Sequence, residues 1–287
     1  MLGKRKLYFI RTHKKIDKTM DLVSDYVRLP SSEVRLEILL SLDKRPKALS
    51  ELKDETDRRN TTILHALNDL AEINLVTQEG KDYKLTTLGF IESTLLQYSV
   101  NMASTLQKFQ EFWLMHDISG IPKQHLFQIG VLKNASLIEA QDTHIGKVHE
   151  SYLDMMKSSK YVKGISPVFH PDFLQLYQNL LKKGTKIELI LTSDIVEEII
   201  SKVDLKEFSQ YIKNGQLTIF QKEKLQVALT VTDKVISLGL FTTNGVYDYN
   251  VDLIDSDPNA REWGEGLYEY YRKGSKSLSE ELGTILQ

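Results

Sequence analysis

The sequence predicts an α+β protein of several domains: an N-terminal winged helix-turn-helix, a helical linker and a C-terminal α/β domain with a mixed sheet. Three observations predict this class. Residues 31–88 combine three short amphipathic helix patterns with two strand-like runs. Residues 88–116 contain no proline and only one glycine, as expected of helix. From residue 161 onwards strand and helix patterns alternate, which favours an α/β domain.

These patterns divide the 287 residues into four segments. We expect a basic segment over residues 1–24, the DNA-binding winged helix over 25–90, a linker and dimerisation helix over 91–120, and an effector-sensing domain over 121–287. The net charge of −2 conceals an asymmetry. Residues 1–90 hold 17 Lys and Arg against 14 Asp and Glu, and the remainder holds 20 against 25. The basic excess therefore lies in the half that would meet DNA.

Composition excludes several classes of function. The chain has no cysteine, so disulfides, thiolate chemistry and Cys-ligated metal sites are excluded. No apolar run approaches the roughly 20 residues of a membrane span, and the basic start is not followed by a signal-peptide core. We expect a cytoplasmic protein with no membrane partner.

The first two helices of the N-terminal domain are predicted to pack rather than to contact DNA. The first should begin at the Ser31–Ser32 cap. The second is predicted to be capped by Ser50 and to end near Thr56. The apolar residues at helical spacing in the first helix are Val34, Ile38, Leu39 and Leu42.

The third helix is the predicted recognition helix, capped by Asn60 or Thr61. Its predicted buried face consists of Ile63, Leu67, Leu70 and Ile73. In helix-turn-helix proteins the N-terminal half of this helix enters the major groove, where Asn and Thr contact base edges and Arg contacts phosphates. The candidate DNA-contacting residues here are Arg58, Arg59, Asn60, Thr61, Thr62, His65 and Asn68.

The wing is predicted from two strand-like runs, Leu75–Gln78 and Tyr83–Leu85, on either side of a polar turn with Gly80. Lys81 and Lys84 are candidates for phosphate contacts, although neighbouring carboxylates reduce the local positive charge. An alternative is a small helical domain that binds protein rather than DNA.

In the C-terminal half, the linker helix from Leu95 to Phe112 is the predicted seam of a homodimer. The β-rich runs Leu217–Phe220, Val227–Val231 and Val235–Phe241 should complete the mixed sheet. The elements predicted before these runs are a strand at Tyr161–Val168, a helix at Pro171–Lys183, a strand at Lys186–Leu191, a helix at Ile195–Lys202, and a helix through Phe208 and Tyr211.

A small polar effector is expected at the carboxyl ends of these strands, where open α/β sheets bind ligands. His170 can change charge near neutral pH. The alternative for single residues is local: Asp194 caps its helix and His170 closes a turn. The candidate ligand-binding residues, from three loops expected to converge, are Ser166 and His170; Thr192, Ser193 and Asp194; and Tyr247 and Asp248.

The N-terminal motifs, among them Ala48–Leu52, Asn60–Ile63 and Tyr83–Thr86, resemble ArsR-type winged-helix regulators. The C-terminal motifs resemble archaeal transcriptional regulators that join such a winged helix to the domain named for a methanogenesis and filament-growth regulator. The resemblance covers nearly all of residues 25–275 and implies a sequence-specific, dimeric regulator that binds double-stranded DNA. The motifs that carry it are Phe112–Trp113, His116–Pro122, Gly164–Phe169, Leu238–Phe241, Gly245–Asp248, Trp263–Glu265 and Tyr270–Arg272.

The order of elements in the C-terminal domain also resembles one half of the phospholipase D fold, as in archaeal sugar-responsive regulators. Hydrolysis by that fold requires a nucleophilic His with a Lys two residues on, whereas His170 is followed by Pro171 and Asp172. We therefore expect a regulator without enzymatic activity, cofactor or metal; His144 and His149 lack the one-face spacing of a metal site. A phosphodiesterase-type hydrolase with an accessory winged helix and a protein-interaction adaptor remain as alternatives.

Overall fold

A computed structural model of the chain describes residues 32–140 and 146–278. The predicted basic segment 1–24, Ser31 and His144 lie outside these residues. The chain divides into two compact units after Val100, within the segment predicted as a linker. In the described ranges, no helix has both the length and the apolar character that a membrane crossing requires.

The first unit contains the predicted helices and wing. Its strands form an antiparallel sheet of order β1-β3-β2, in which the wing hairpin β2–β3 turns at Gly80, whose φ of +63° suits glycine. The core is built from the helix faces, with Ile38, Leu52 and Leu67 almost fully buried. The elements are α1 (Glu33–Leu42), β1 (Lys47–Ala48), α2 (Leu49–Thr56), α3 (Asn60–Glu72), β2 (Val76–Glu79) and β3 (Asp82–Leu85).

The predicted cap of α1 is confirmed, because Ser32 is its N-cap, whereas the predicted caps of α2 and α3 are wrong. Helix α2 begins two residues earlier than expected, because Ala48 is its N-cap and the Ala48 N–H donates to the Glu51 carboxylate at 3.0 Å, so Ser50 lies inside the helix. Helix α3 follows Arg59 as N-cap, and no side chain caps it. Ile73 is 45% exposed rather than buried, since α3 ends before it. The expected start of α1 and the expected end of α2 at Thr56 are thus confirmed, whereas the starts of α2 and α3 and the end of α3 differ from expectation.

The second unit is a mixed sheet between two helical layers. The strand order is β12-β8-β7-β6-β9-β10-β11-β5, with β4 pairing to β10. Strands β6, β7 and β8 are parallel neighbours, and the other pairings are antiparallel. The strands are β4 (His116–Asp117), β5 (Ser136–Glu139), β6 (Tyr161–Ser166), β7 (Lys186–Leu191), β8 (Leu217–Gln221), β9 (Val227–Thr232), β10 (Ile236–Thr242), β11 (Val251–Asp255) and β12 (Lys276–Ser277).

The helices complete both layers. Helix α4 runs continuously from Thr87 to Lys108, through the point at which the two units divide. The predicted mixed sheet and the helices between its strands are confirmed, whereas β4, β5, β11 and β12 were not predicted. The remaining helices are α5 (Gln110–Met115), α6 (Lys123–Leu126), a 3-10 turn (Ile129–Asn134), α7 (Lys147–Met156), α8 (Pro171–Lys182), α9 (Ser193–Ile200), α10 (Leu205–Lys213) and α11 (Pro258–Lys273).

Two apolar cores lie on the two faces of this sheet. On one face, Trp263 and Leu267 of α11 pack against β-strand residues such as Leu238. On the other, α7 to α10 cover β6, β7 and β8, with Leu180 and Ile187 almost fully buried. This second layer of helices also extends over β9 and β10, where the strands carry small residues instead of large ones.

Candidate functional site

The first candidate site is the exposed face of α3. Thr61, Thr62, His65 and Asn68 are all solvent-exposed, and the opposite face packs into the core through Ile63. We call these four residues the recognition face. Asn60 is exposed in the first turn of the same helix. The face is therefore polar, accessible and held rigidly, as a groove-reading helix requires.

The basic residues near this face fall into two groups. Arg58 is paired with Glu33 at 2.9 Å and with Glu37 at 3.1 Å, and these carboxylates raise the pKa of its guanidinium. Lys84 is paired with Glu79 across the hairpin, and this pairing lowers the pKa of the Glu79 carboxyl. The charges of Arg58 and Lys84 are therefore partly neutralised by neighbouring carboxylates.

Arg59 and Lys81 form the second group. Both are exposed, and no ion pair of either is found within residues 32–140 and 146–278. They are thus the cations whose charge is most accessible to a phosphate. This distinction was not available from the sequence, because it depends on which carboxylate folds next to which cation.

The predicted dimer seam from Leu95 to Phe112 is only partly accessible. Phe109 and Phe112 are buried in the core of the second unit, so they are not free to form a subunit interface. Four exposed apolar residues lie nearer the start of α4, at spacings of three and four that place them on one helix face. They are Leu88, Ile91, Leu95 and Tyr98.

The second candidate site is a cavity in the second unit. Its volume is about 80 Å³, and it lies between α7 and α8 and the sheet face of β6, β9, β10 and β11. Along β9 and β10 the large apolar residues face α11, and the alternate residues that face the cavity are small. This alternation leaves the space. The small floor residues are Gly164, Ala228, Thr230, Ser237 and Gly239.

Gly239 shows how closely this floor is approached. A Cβ at this position would lie 2.2 Å from the Tyr247 hydroxyl oxygen and 2.8 Å from the Asp252 Oδ1 atom. Any larger residue would therefore push these two polar groups away from their places in the cavity. Glycine is needed here for the close approach rather than for its backbone freedom.

Aromatic rings form the walls of the cavity. The Tyr152 hydroxyl lies 3.0 Å from the Thr230 hydroxyl and 3.2 Å from the Tyr177 hydroxyl, which ties α7 to α8 and to the sheet. Burial raises the pKa of Tyr152, Tyr177 and Tyr247, so these hydroxyls stay protonated. The wall residues are Tyr152, Phe173, Tyr177, Tyr247 and Tyr249, with His149 and His170 beside them.

Two carboxylates reach the cavity. Asp252 is buried, accepts a hydrogen bond from the Ser237 hydroxyl at 3.1 Å, and has its pKa raised to about 7 by burial. Asp248 stands beside His116, with 3.3 Å between its Oδ2 and the imidazole Nε2. No lysine or arginine is among the described residues that line the cavity.

His149, His170 and Asp172 form a small cluster at the side of the cavity. The His149 Nε2 atom lies 2.9 Å from Asp172 Oδ2, and the two imidazole rings are 4.1 Å apart between centroids. His170 is the N-cap of α8, because its Nδ1 accepts from the Asp172 N–H at 3.2 Å. The three side chains offer ligand atoms within 4.8 Å of one another, a spacing that a metal ion could bridge. His170 was expected to close a turn, and its local role is instead that of a helix N-cap.

The structure brings two of the three predicted ligand loops together. Ser166, His170, Tyr247 and Asp248 all line the cavity, whereas Thr192, Ser193 and Asp194 do not. Thr192 is the N-cap of α9, and the Ser193 hydroxyl accepts from the Gln221 amide in a separate depression. The expected convergence of all three loops is therefore wrong, because β7 lies on the side of β6 away from β9, β10 and β11 and contributes no residue to the cavity.

Several cavity residues were missed from the sequence. Asp252 was missed because β11 itself was not recognised as a strand. The small residues of β9 and β10 were present as a signal: in a strand buried on both faces, alternate positions of Ala, Thr, Ser and Gly indicate that one face has space above it.

Comparison with known proteins matches the two halves of the chain to one family. Residues 24–104 match the N-terminal domain of the methanogenesis regulatory protein FilR1, and residues 145–274 match its middle domain. FilR1 of Methanothrix harundinacea (strain 6Ac) is 30% identical over 264 residues, which cover 91% of this chain and 59% of that protein. The chain thus spans less than two thirds of this relative's length.

Solved structures give weaker likenesses. The archaeal chromatin protein TrmBL2 aligns over 91% of this chain and 99% of its own, with a TM-score of 0.41 and 12% identity. The transcriptional repressor BigR from Xylella fastidiosa aligns over 32% of this chain and 94% of its own, with a TM-score of 0.27 and 21% identity. The phosphatidylserine synthase of Haemophilus influenzae covers 71% of this chain and 60% of its own, with a TM-score of 0.39 and 14% identity. These scores are low and support no statement about function.

Proposed function

Because residues 24–104 and 145–274 match the N-terminal and middle domains of FilR1, we propose that the chain is a DNA-binding transcriptional regulator whose second unit responds to a small ligand. The observation that carries the DNA-binding part is the recognition face of α3, which is exposed and polar and adjoins a wing hairpin in one compact unit. A regulator of this kind would be archaeal and cytoplasmic, as its relative and its DNA target suggest.

The exposure and ion pairs of each side chain indicate whether it would contact bases or phosphates. Thr62 and His65, in the N-terminal half of the recognition helix, and Asn68, in the following turn, would read base edges, since all three are exposed. Arg59 and Lys81 would contact phosphates, because no carboxylate is paired with either in the described residues. Arg58 and Lys84, which are ion-paired, would contribute less.

The first test compares base-reading with phosphate-contacting positions on DNA fragments selected by the protein. Thr62→Ala or His65→Ala should cost about 1–3 kcal/mol on the selected sequence and little on unrelated DNA. Arg59→Ala and Lys81→Ala should weaken both alike and reduce the salt slope by about 1 each per protomer. Fluorescence anisotropy across a salt series measures both quantities.

Two variants serve as controls for this test. Lys84→Ala should change the salt slope less than Lys81→Ala, because Lys84 is already paired with Glu79. Lys213→Ala, in the second unit, should leave DNA affinity unchanged. Full DNA affinity after removal of residues 1–90 would refute the proposal and favour the adaptor alternative.

We also propose that the regulator is a homodimer. Half-sites about 34 Å apart fit a two-fold pair of recognition helices, and one helix alone reads too few base pairs for specificity in a genome. The proposed interface is the exposed apolar stripe of α4, formed by Leu88, Ile91, Leu95 and Tyr98. Contact of these apolar side chains with water is unfavourable, so their burial in a dimer interface would stabilise the dimer.

The dimer proposal has a direct test in Ile91→Glu/Leu95→Glu. Two carboxylates in the stripe should abolish self-association, because charges buried in an apolar interface without partners are strongly unfavourable. Light scattering at micromolar concentration should give a dimer for the parent chain and a monomer for the variant. Ser104→Glu, at an exposed position on the opposite side of the same helix, is the matched control. A parent chain that is monomeric with and without DNA would overturn the proposal.

The hydrolase alternative is less well supported by the cavity. A phospholipase D-type reaction needs a nucleophilic His and a Lys that holds the phosphate. The cavity lining has two histidines and no lysine or arginine among its described residues, and the Nδ1 atom of His170 already accepts a backbone hydrogen bond. Ligand binding without turnover is the function that this lining favours.

A further inference from the structure

We propose that the cavity of the second unit binds a small organic cation of the alkylammonium type, enclosed by aromatic rings and neutralised by the carboxylates of Asp252 and Asp248. This inference rests on the proposed function only in taking the cavity as the ligand site. It goes further by assigning the charge and the chemical class of the ligand.

The first support is the aromatic wall. Tyr152, Phe173, Tyr177, Tyr247 and Tyr249 all line one cavity. The face of an aromatic ring carries negative charge density, so a group of rings attracts a cation while it also packs against alkyl groups. An alkylammonium ion needs both properties, because its charge is spread over methyl or methylene groups that donate few hydrogen bonds. Several rings around one space are the usual protein solution for such ligands.

The second support is the charge of the lining. Asp248 and Asp252 bring carboxyl groups into the cavity, and the described lining contains no lysine or arginine. Asp252 is buried, and among the described residues its hydrogen-bond partner is a neutral hydroxyl, that of Ser237 at 3.1 Å. A buried carboxylate without a cationic partner is unfavourable, and a bound cation would supply that partner. A phosphate or carboxylate ligand would be repelled by the carboxylates of Asp248 and Asp252.

The third support is the way in which the polar groups are held. The Tyr152 hydroxyl is engaged with Thr230 and Tyr177, so it keeps its ring fixed against the sheet. Gly239 lets the Tyr247 hydroxyl and Asp252 approach the floor, at a place where any side chain would displace them. A preformed site of this kind loses little conformational entropy on binding. The floor of small residues leaves room for a ligand of a few carbon atoms.

The experiment is isothermal titration of the full chain with three probes of nearly equal shape. The cation is choline, the neutral isostere is 3,3-dimethyl-1-butanol, and the anion is 3,3-dimethylbutanoate. EDTA is present throughout, so that the histidine cluster cannot contribute through a bound metal. We expect choline to bind in the micromolar to millimolar range, the alcohol to bind at least about tenfold more weakly than choline, and the anion not to bind.

Two pairs of variants assign the effect to residues. Asp252→Asn should weaken cation binding about tenfold, whereas Asp194→Asn, outside the cavity, should leave it unchanged. Tyr249→Phe retains the ring and should bind nearly as the parent chain does, whereas Tyr249→Leu should bind about tenfold more weakly. Tyr249 is 57% exposed, so neither change threatens the fold.

Three results would overturn the inference: the alcohol binding as tightly as the cation, the anion binding in preference, or no cation binding up to tens of millimolar. DNA affinity measured on the same preparation keeps the two proposals apart. If specific DNA is bound and no cation is, only the ligand class is wrong. If a cation is bound and no DNA is, the regulator proposal fails and the cation site stands.

Discussion

Replacing Gly89 with alanine is expected to destabilise the first unit by about 2–3 kcal/mol, although the same change at most helical glycines stabilises a helix. Gly89 lies in the first turn of α4, against the end of the wing. A Cβ there would lie 1.9 Å from the Leu75 carbonyl oxygen and 2.8 Å from its carbonyl carbon. These are backbone atoms, so the neighbour cannot rotate away, and either the helix or the strand must move.

The Leu75 carbonyl that the methyl group would displace also accepts a hydrogen bond. The Leu75 oxygen accepts from the Thr86 N–H at 3.0 Å, and the Gly89 N–H donates to the Thr86 hydroxyl at 3.0 Å. These bonds join the end of the wing to the start of α4. A shift large enough to accept a methyl group would strain or break them, at a cost of about 1 kcal/mol for each bond lost. The wing should then lose its fixed position, and DNA affinity should fall with stability.

The position of the tryptophans makes this measurable. Trp113 and Trp263 both lie in the second unit, so tryptophan fluorescence follows that unit while far-UV circular dichroism follows both. In urea, Gly89→Ala should lower the midpoint of a dichroism transition and leave the fluorescence transition in place. Ser99→Ala, which places alanine at an exposed site of the same helix, should change stability by less than about 0.5 kcal/mol. A stabilised Gly89→Ala chain would contradict the close approach.

Local periodicity made the first unit the more predictable half. The spacing of Ile63, Leu67 and Leu70 separates a buried from an exposed face of α3, and the structure has these faces where the spacing puts them. Caps were less predictable, because neither Ala48 nor Arg59 caps its helix with its own side chain, and at Ala48 the Glu51 carboxylate accepts from the backbone N–H instead. A cap read from sequence is only a preference for Ser, Thr, Asp or Asn.

The cavity was predictable in part, for a physical reason. The residues after β6 and around Tyr247 were found because polar groups that follow strands collect at sheet ends. The error at Thr192–Asp194 came from strand order: β7 neighbours β6 and β8, and no local pattern encodes that β9 lies on the far side of β6. Asp252 was missed because a carboxylate in a buried strand runs against the usual composition of strands.

The second large expected effect concerns the carboxylate of Asp252 in its buried strand. Asp252 sits on β11 beneath the aromatic wall, with Ser237 as its hydrogen-bond donor. Ionisation of a buried carboxyl group costs free energy. An apolar or amide side chain at this position would make the folded chain more stable. A buried acid beside an open cavity is typical of a functional site, where the cost is recovered when a ligand binds.

Asp252→Asn is therefore expected to stabilise the ligand-free second unit at alkaline pH. Burial raises the pKa of Asp252 from 3.8 to about 7, so the folded chain holds this proton more tightly than the unfolded chain does. The contribution of the Asp252 proton to the free energy of unfolding has its full value below about pH 4. This contribution is lost as the pH rises to about 7. Three pKa units correspond to about 4 kcal/mol, of which more than half is lost between pH 5 and pH 8. Asparagine imitates the protonated acid and cannot ionise.

Urea unfolding followed by tryptophan fluorescence at pH 5 and pH 8 gives the measurement. Other groups titrate in this window, but they are common to both chains, so the difference between parent and Asp252→Asn isolates the carboxyl. The variant should exceed the parent in stability by several kcal/mol at pH 8 and by clearly less at pH 5. Saturating choline at pH 8 should reduce the gap, because it stabilises the parent through the ionised carboxylate and the variant only weakly. An equal pH dependence in the two chains would mean that Asp252 ionises as freely when folded as when unfolded, and the electrostatic basis of the cation site would be lost with it.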